Sequence, residues 1–265
     1  MPRANRYLTA GAAYHLTHRC HDRAFLLKFA RDRDGYREIL RVESARRGLS
    51  VLSYAITSNH VHLLVADTDA ASVAAFMQAT QGRFAEEYNR RKGRQGAFWS
   101  DRYHATMIEG GEHLWACLKY IDLNMVRAGV VGHPREWEWT AWRELMGERQ
   151  RYRLIDPAAL LDRLEGVTPA AFRRAYRALI EEALQQRAGL RRDGRWTEAM
   201  AVGGERFVDG LAARLEAGDL RRNWTRQATN DGGWVLRESG PRLGLYAISR
   251  AEKSRKEGHF DRIPP

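Results

Sequence analysis

Between Leu49 and Ala66 the chain carries two runs rich in apolar and β-branched residues, Leu49 to Ile56 and Asn59 to Ala66. Only the polar turn Thr57-Ser58-Asn59 divides them, a short connection that suits a hairpin. The second run, His60-Val61-His62-Leu63-Leu64-Val65, holds no Gly or Pro, and its side chains alternate between the two faces of a sheet. His60 and His62 therefore project side by side from one face, while Val61, Leu63 and Val65 pack on the other. Two neutral imidazoles at that spacing can share one divalent ion. Taken alone, the pattern suits at least as well a hydrogen-bonded pair lining a cleft.

Around this hairpin the pattern alternates. Residues 12–18 read as a strand, and Asp32 to Arg47 as a helix, with Tyr36, Ile39, Leu40 and Glu43 at helical spacing and Gly48 as its stop. Ala70 to Arg91 is a second helix with Val73, Phe76, Met77, Phe84 and Tyr88 on its buried side. Tyr103 to Ile108 is a fourth strand, and Gly111 to Ala128 a third helix. The order β-α-β-β-α-β predicts an α+β fold of the ferredoxin-like, split βαβ kind: one antiparallel sheet with helices on one face and a further helix after the fourth strand. In that plan the first and third strands are central neighbours, which brings His15 toward His60 and His62. Beyond Gly147 the pattern turns helical, over 154–164, 168–186 and 204–216. We therefore expect a domain at 1–147 and a mainly helical, basic extension at 148–265, with a poorly ordered end over 252–265.

Charge narrows the partners. The 44 Lys and Arg outweigh 33 Asp and Glu, for a net charge of +11 spread over both halves of the chain. A basic globular chain rich in arginine points first to nucleic acid. Arg83, Arg90, Arg91, Lys92, Arg94 and Arg102 cluster on the second helix and the loop after it, with Phe98, Trp99 and Tyr103 interleaved. Cations neutralise phosphates and exposed rings stack on unpaired bases, although Trp99 suits a buried anchor as well. The two cysteines, Cys20 and Cys117, form no paired motif, and no apolar stretch approaches the roughly 20 residues of a membrane span. A soluble, cytoplasmic protein is the expectation.

On the third helix Leu114, Leu118, Ile121 and Met125 form the apolar stripe. Tyr120, Asn124 and Arg127 follow the same steps on another face. Together with Tyr14-His15-Leu16-Thr17, Asn59-His60-Val61-His62-Leu63-Leu64, Phe98-Trp99-Ser100-Asp101-Arg102-Tyr103 and the run from Tyr120 to Val131, this arrangement resembles the single-tyrosine HUH transposases. Among them it is most similar to the REP-associated tyrosine transposases. The resemblance covers residues 1–147. It departs at Ser58 and Met125, where many relatives carry proline, which alters the turn before the strand and removes a kink-prone residue from the helix.

The resemblance implies a role for each matched position. His60 and His62 would bind a divalent cation, Mg²⁺ or Mn²⁺, with Asn124 as third ligand. Tyr120 would attack a phosphodiester of single-stranded or hairpin DNA, forming a covalent 5′-phosphotyrosine and freeing a 3′-hydroxyl. Palindromic repeats would be the substrate. Arg127 would touch the substrate phosphate or cap the helix end, and His15 and Asn59 would stand behind the paired imidazoles. A free phenol with a pKa near 10 is ionised in only about one molecule in a thousand at pH 7, so the tyrosine needs help. Two other activities fit the same residues: a DNA-hairpin-binding protein without catalysis, and a metal-dependent nuclease that uses water. Oligomeric state is not fixed by the sequence.

Overall fold

The computed structural model describes residues 8–66, 70–186, 190–218 and 222–241. The expected disordered end at 252–265 lies outside them. Seven strands and nine α-helices are seen among the described residues: β1 (Ala13–Arg19), α1 (Ala30–Arg47), β2 (Ser50–Ile56), β3 (His60–Ala66), α2 (Ala70–Lys92), β4 (His104–Ile108), α3 (Glu112–Asp122), α4 (Asn124–Arg127), α5 (Trp142–Leu145), α6 (Pro157–Asp162), α7 (Pro169–Gln186), α8 (Arg195–Glu198), β5 (Ala201–Gly203), α9 (Glu205–Gly218), β6 (Arg222–Ala228) and β7 (Trp234–Pro241). The first four strands pair antiparallel in the order β2-β3-β1-β4, the split βαβ arrangement read from the sequence. Gly48, at φ +62, ends α1 where the chain turns into β2.

Register sorts the side chains between the two faces. Leu16 pairs with Leu63 and His18 with Val61, so these share a face with Tyr14 and Val65. That face lies under α1 and α2: His18 stacks on Trp99 at 4.4 Å, and Trp99 packs in turn on Tyr36 of α1 and Phe84 of α2. His15, Thr17 and His62 occupy the opposite face, together with His104 and Thr106 of β4. The two crossover helices thus cover one side, as the plan requires, and α3 lies across the other.

Three features were not foreseen. Beyond residue 147 the chain forms helices α6, α7 and α9, and it also contributes β5, β6 and β7. They continue the sheet beyond β4 in the order β4-β5-β7-β6, with β4 and β5 parallel, so the complete sheet is mixed. The free edge of β2 is covered by chain from beyond α4: Ile56 N donates to the Trp139 carbonyl, Ala141 N to the Tyr54 carbonyl and Asp156 N to the Val51 carbonyl. Buried Glu144 secures this corner, accepting from Tyr54 Oη at 2.7 Å and from the amides of Leu154 and Ile155. Third, the single helix expected over 111–128 is broken at Leu123 (φ −75°, ψ 3°). The break forms with no proline in the turn, Met125 standing two residues beyond it. In that turn the Arg127 guanidinium donates to the Tyr120 carbonyl at 2.7 Å.

Candidate active site

The His-bearing face of the sheet and α3 enclose an open cleft of about 420 Å³. His60, His62, Tyr120, Asn124, Arg102 and Arg127, all singled out in the sequence, line it. Five lie on β3 or on the two sides of the break between α3 and α4, which explains why residues so far apart in the chain meet. Arg102 comes from the loop before β4.

The imidazoles are tightly held. His15 Nε2 lies 2.9 Å from His62 Nδ1, and the two rings stack with centroids 5.0 Å apart. His62 Nε2 is 2.9 Å from the Asn124 side-chain amide. His60 Nδ1 is 2.7 Å from Asn59 Oδ1 and 2.9 Å from Thr57 Oγ1, while Asn59 Nδ2 reaches back to the Arg23 carbonyl. Burial pushes the pKa of His15 and of His60 down to about 3 and that of His62 well below its ordinary value; neighbouring Arg127 adds to all three shifts. All three rings are therefore neutral at physiological pH.

Tyr120 faces this group. Its ring centroid is 6.0 Å from that of His15 and 5.9 Å from that of His62, nearly perpendicular to both. It is only 8% exposed, yet it borders the cleft and not the apolar interior alone. Burial raises its pKa, and Arg127 and Arg192 work against that rise. The Arg127 guanidinium sits 4.1 Å from the ring centroid. Its Nη1 is buried without a hydrogen-bond partner among the described residues, a cationic donor left unused by the protein.

The remaining basic candidates lie elsewhere. Arg83 pairs with Glu87 and Glu43, Arg91 pairs with Asp32, and Arg94 bonds Asn89 and the Ala97 carbonyl. Arg90 is exposed near the end of α2, and Lys92 lies 4.9 Å from the Phe29 ring centroid. None of these lines the cleft. Trp99 packs beneath the opposite face, with Nε1 donating to the Gln81 carbonyl at 3.2 Å. Conversely, Arg19, His104 and Thr197 line the cleft without standing out in the sequence, and Arg192, one of several C-terminal arginines that could extend a nucleic-acid surface, lines it as well. Arg19 and His104 could have been found from strand register. Arg192 and Thr197 come from the extension, and no local sequence signal marks where that segment docks.

Residues 9–124 match the family described as Transposase IS200 like. Two solved structures are similar to it. One is a REP-associated tyrosine transposase bound to a REP hairpin, 18% identical, with a TM-score of 0.46 over 58% of this chain and 90% of that one. The other is a putative transposase from Deinococcus radiodurans R1, 22% identical, with a TM-score of 0.32 over 40% of this chain and 84% of that one. No curated protein matches the sequence. Among the described residues no helix is long and apolar enough to cross a membrane.

Proposed function

We propose that this transposase nicks and rejoins single-stranded or hairpin DNA, with Tyr120 as nucleophile and a divalent cation held by His60 and His62. The observation that carries the reading is the meeting of a phenol and two neutral imidazoles in one arginine-lined cleft, the Tyr120 and His62 rings 5.9 Å apart. Among the described residues no three His, Cys, Asp or Glu side chains are grouped to hold an ion. The donor set is instead two imidazoles and the Asn124 amide, whose oxygen can replace its nitrogen by a half-turn of the amide. Such a set leaves coordination positions for phosphate oxygens. Its nitrogen ligands favour Mn²⁺ over the strictly oxygen-loving Mg²⁺.

The cation, when bound, would stabilise charge developing on the scissile phosphate and orient the bond to be cut. The chain's own residues do the rest. The Tyr120 Oη attacks phosphorus and gives up its proton to solvent; the bond to the 3′-oxygen breaks, and that oxygen takes up a proton to leave as a 3′-hydroxyl. Arg127 offers its unused Nη1 to a phosphate oxygen, and Arg19, Arg102 and Arg192 neutralise the flanking strand. The phosphotyrosine keeps the phosphodiester bond energy, so a new 3′-hydroxyl can reverse the step and join a different end. Arg83, Arg90, Arg91, Lys92 and Arg94 would meet DNA farther from the cut. A DNA hairpin formed by a palindromic repeat is the ligand this reading expects.

End-labelled hairpins with single-stranded flanks, incubated with Mn²⁺ and run on denaturing gels, test this. A protein–DNA band that is lost in Tyr120→Phe is the expected result. Cleavage without such a band would identify a water-using nuclease, and a shift in native gels alone a hairpin-binding protein; either overturns the proposal.

A further inference from the structure

One short piece of the extension, beyond the family match, reaches the centre of the site. Around α8 the Trp196 carbonyl comes 2.8 Å from His15 Nδ1 and 3.3 Å from Thr106 Oγ1. The Trp196 side chain is 3% exposed, and its ring centroid lies 5.8 Å from that of Tyr120.

A carbonyl oxygen only accepts, so His15 carries its proton on Nδ1 and keeps its lone pair on Nε2. That lone pair stands 2.9 Å from His62 Nδ1, which must then be the donor. His62 in turn holds its lone pair on Nε2, the nitrogen that lies 2.9 Å from Asn124. Without the carbonyl, the hydrogen bond between His15 and His62 can run in either direction. The reversed direction puts a proton on His62 Nε2, where a cation could not bind.

We infer that the Trp196 carbonyl, acting through His15, fixes the tautomer of His62 and so keeps its Nε2 free for a metal ion. His15 is thus a positioning residue, and the extension completes a ligand that the family-matched domain supplies. The two imidazoles have different keepers: Asn59 Oδ1 sets His60 from within its own hairpin, 2.7 Å from His60 Nδ1. The inference rests on the metal role proposed for His62. It accounts for a buried histidine that does not line the cleft, and for why the extension docks on this face.

Nitrogen NMR of the imidazoles in the full-length, metal-free protein reads the tautomers directly. His15 and His62 should both be protonated on Nδ1. His15→Phe should leave His62 mixed and weaken Mn²⁺ binding, measured by calorimetry without DNA, about 10- to 100-fold. His15→Gln puts an acceptor oxygen near the lost Nε2 and should recover part of that affinity. Trp196→Ala should disturb His62 but not His60. A wild-type His62 protonated on Nε2 overturns the inference even if no variant folds. So does a His15→Phe protein with unchanged Mn²⁺ affinity, or a Trp196→Ala spectrum in which His60 shifts as much as His62. Failure to cleave DNA would defeat the proposed chemistry but leave these spectra to decide the tautomer.

Discussion

Replacing Arg127 separates what the guanidinium does for the fold from what it does for the phosphate. Its Nη2 donates to the Tyr120 carbonyl at 2.7 Å, its Cζ lies 4.1 Å from the Tyr120 ring centroid, and its Nη1 has no hydrogen-bond partner among the described residues. Arg127→Met removes a charge-assisted hydrogen bond worth roughly 1.5–3 kcal/mol and a ring contact worth about 0.5–2 kcal/mol. It also removes the cost of holding a guanidinium out of water, the effect that lowers its pKa. These contributions oppose each other, so stability should fall by no more than about 2 kcal/mol in urea titrations. The chemical step should respond more strongly. A donor aimed at developing negative charge is worth on the order of 10²- to 10³-fold in rate. Single-turnover formation of the Tyr120 adduct on a saturating hairpin measures that loss. Arg127→Lys, which keeps the charge but not the planar fork, should fall between the two. A Met variant that unfolds at the wild-type midpoint and cleaves within about threefold of wild type would refute the phosphate role.

Three other perturbations separate chemistry from packing. Tyr120→Phe should abolish the covalent adduct while changing stability by less than about 1 kcal/mol, checked by gel and by thermal melts. His60→Ala and His62→Ala should each eliminate cleavage yet retain hairpin binding in native gels. His62→Ala should also cost about 1–3 kcal/mol of stability, because both its ring nitrogens have buried partners. Asp231 accepts from Arg195 at 2.7 Å and from Thr229, and the Arg195 bond is the main reason its carboxyl is held below the ordinary range. A depressed folded-state pKa gives stability that is fully present above the unfolded value near 4 and is lost as the pH falls through the folded one. Asp231→Asn should therefore melt below wild type at pH 7, the gap narrowing in strong acid; parallel melting curves across that range would contradict the ion pair's contribution.

The four-stranded core was legible because each strand carries its own two-residue alternation and each helix its own apolar stripe. The hairpin at Thr57-Ser58-Asn59 and the stop at Gly48 placed the elements in order, and the split βαβ plan made β1 and β3 neighbours, which is where His15 and His62 meet. The later strands left no such mark. β5 is three residues long and is held between β4 and β7, while β6 is largely polar and mostly exposed. The break at Leu123 was equally hidden: with Met125 in place of proline the helical pattern reads through, and a tertiary contact from Arg127 meets the Tyr120 carbonyl in the broken turn. For Arg83, Arg91 and Arg94, sequence spacing shows the cluster of charge but not the acidic or carbonyl partners that engage it in the fold.

A sheet face built from His15, Thr17, His62, His104 and Thr106 poses a problem that an apolar helix cannot solve. Buried imidazole and hydroxyl groups each need a partner, and an unmet one costs about 1–3 kcal/mol. α3 contributes Leu114, Leu118 and Ile121 to the core, so other parts of the chain must meet the polar groups at the β4 end of that face. Two carbonyls from the extension do so: Ala199 accepts from Thr106 Oγ1 at 2.8 Å and lies 2.9 Å from His104 Nε2, and Trp196 serves His15. Carbonyls suit this better than carboxylates. They accept without adding a negative charge that would favour protonated histidines, and so they leave the imidazoles neutral, the form that can hold a cation. The polar histidine face and the docking of the extension are therefore one structural requirement, and a chain that kept the histidines but lost those carbonyls would have to hydrate the face or rebuild it.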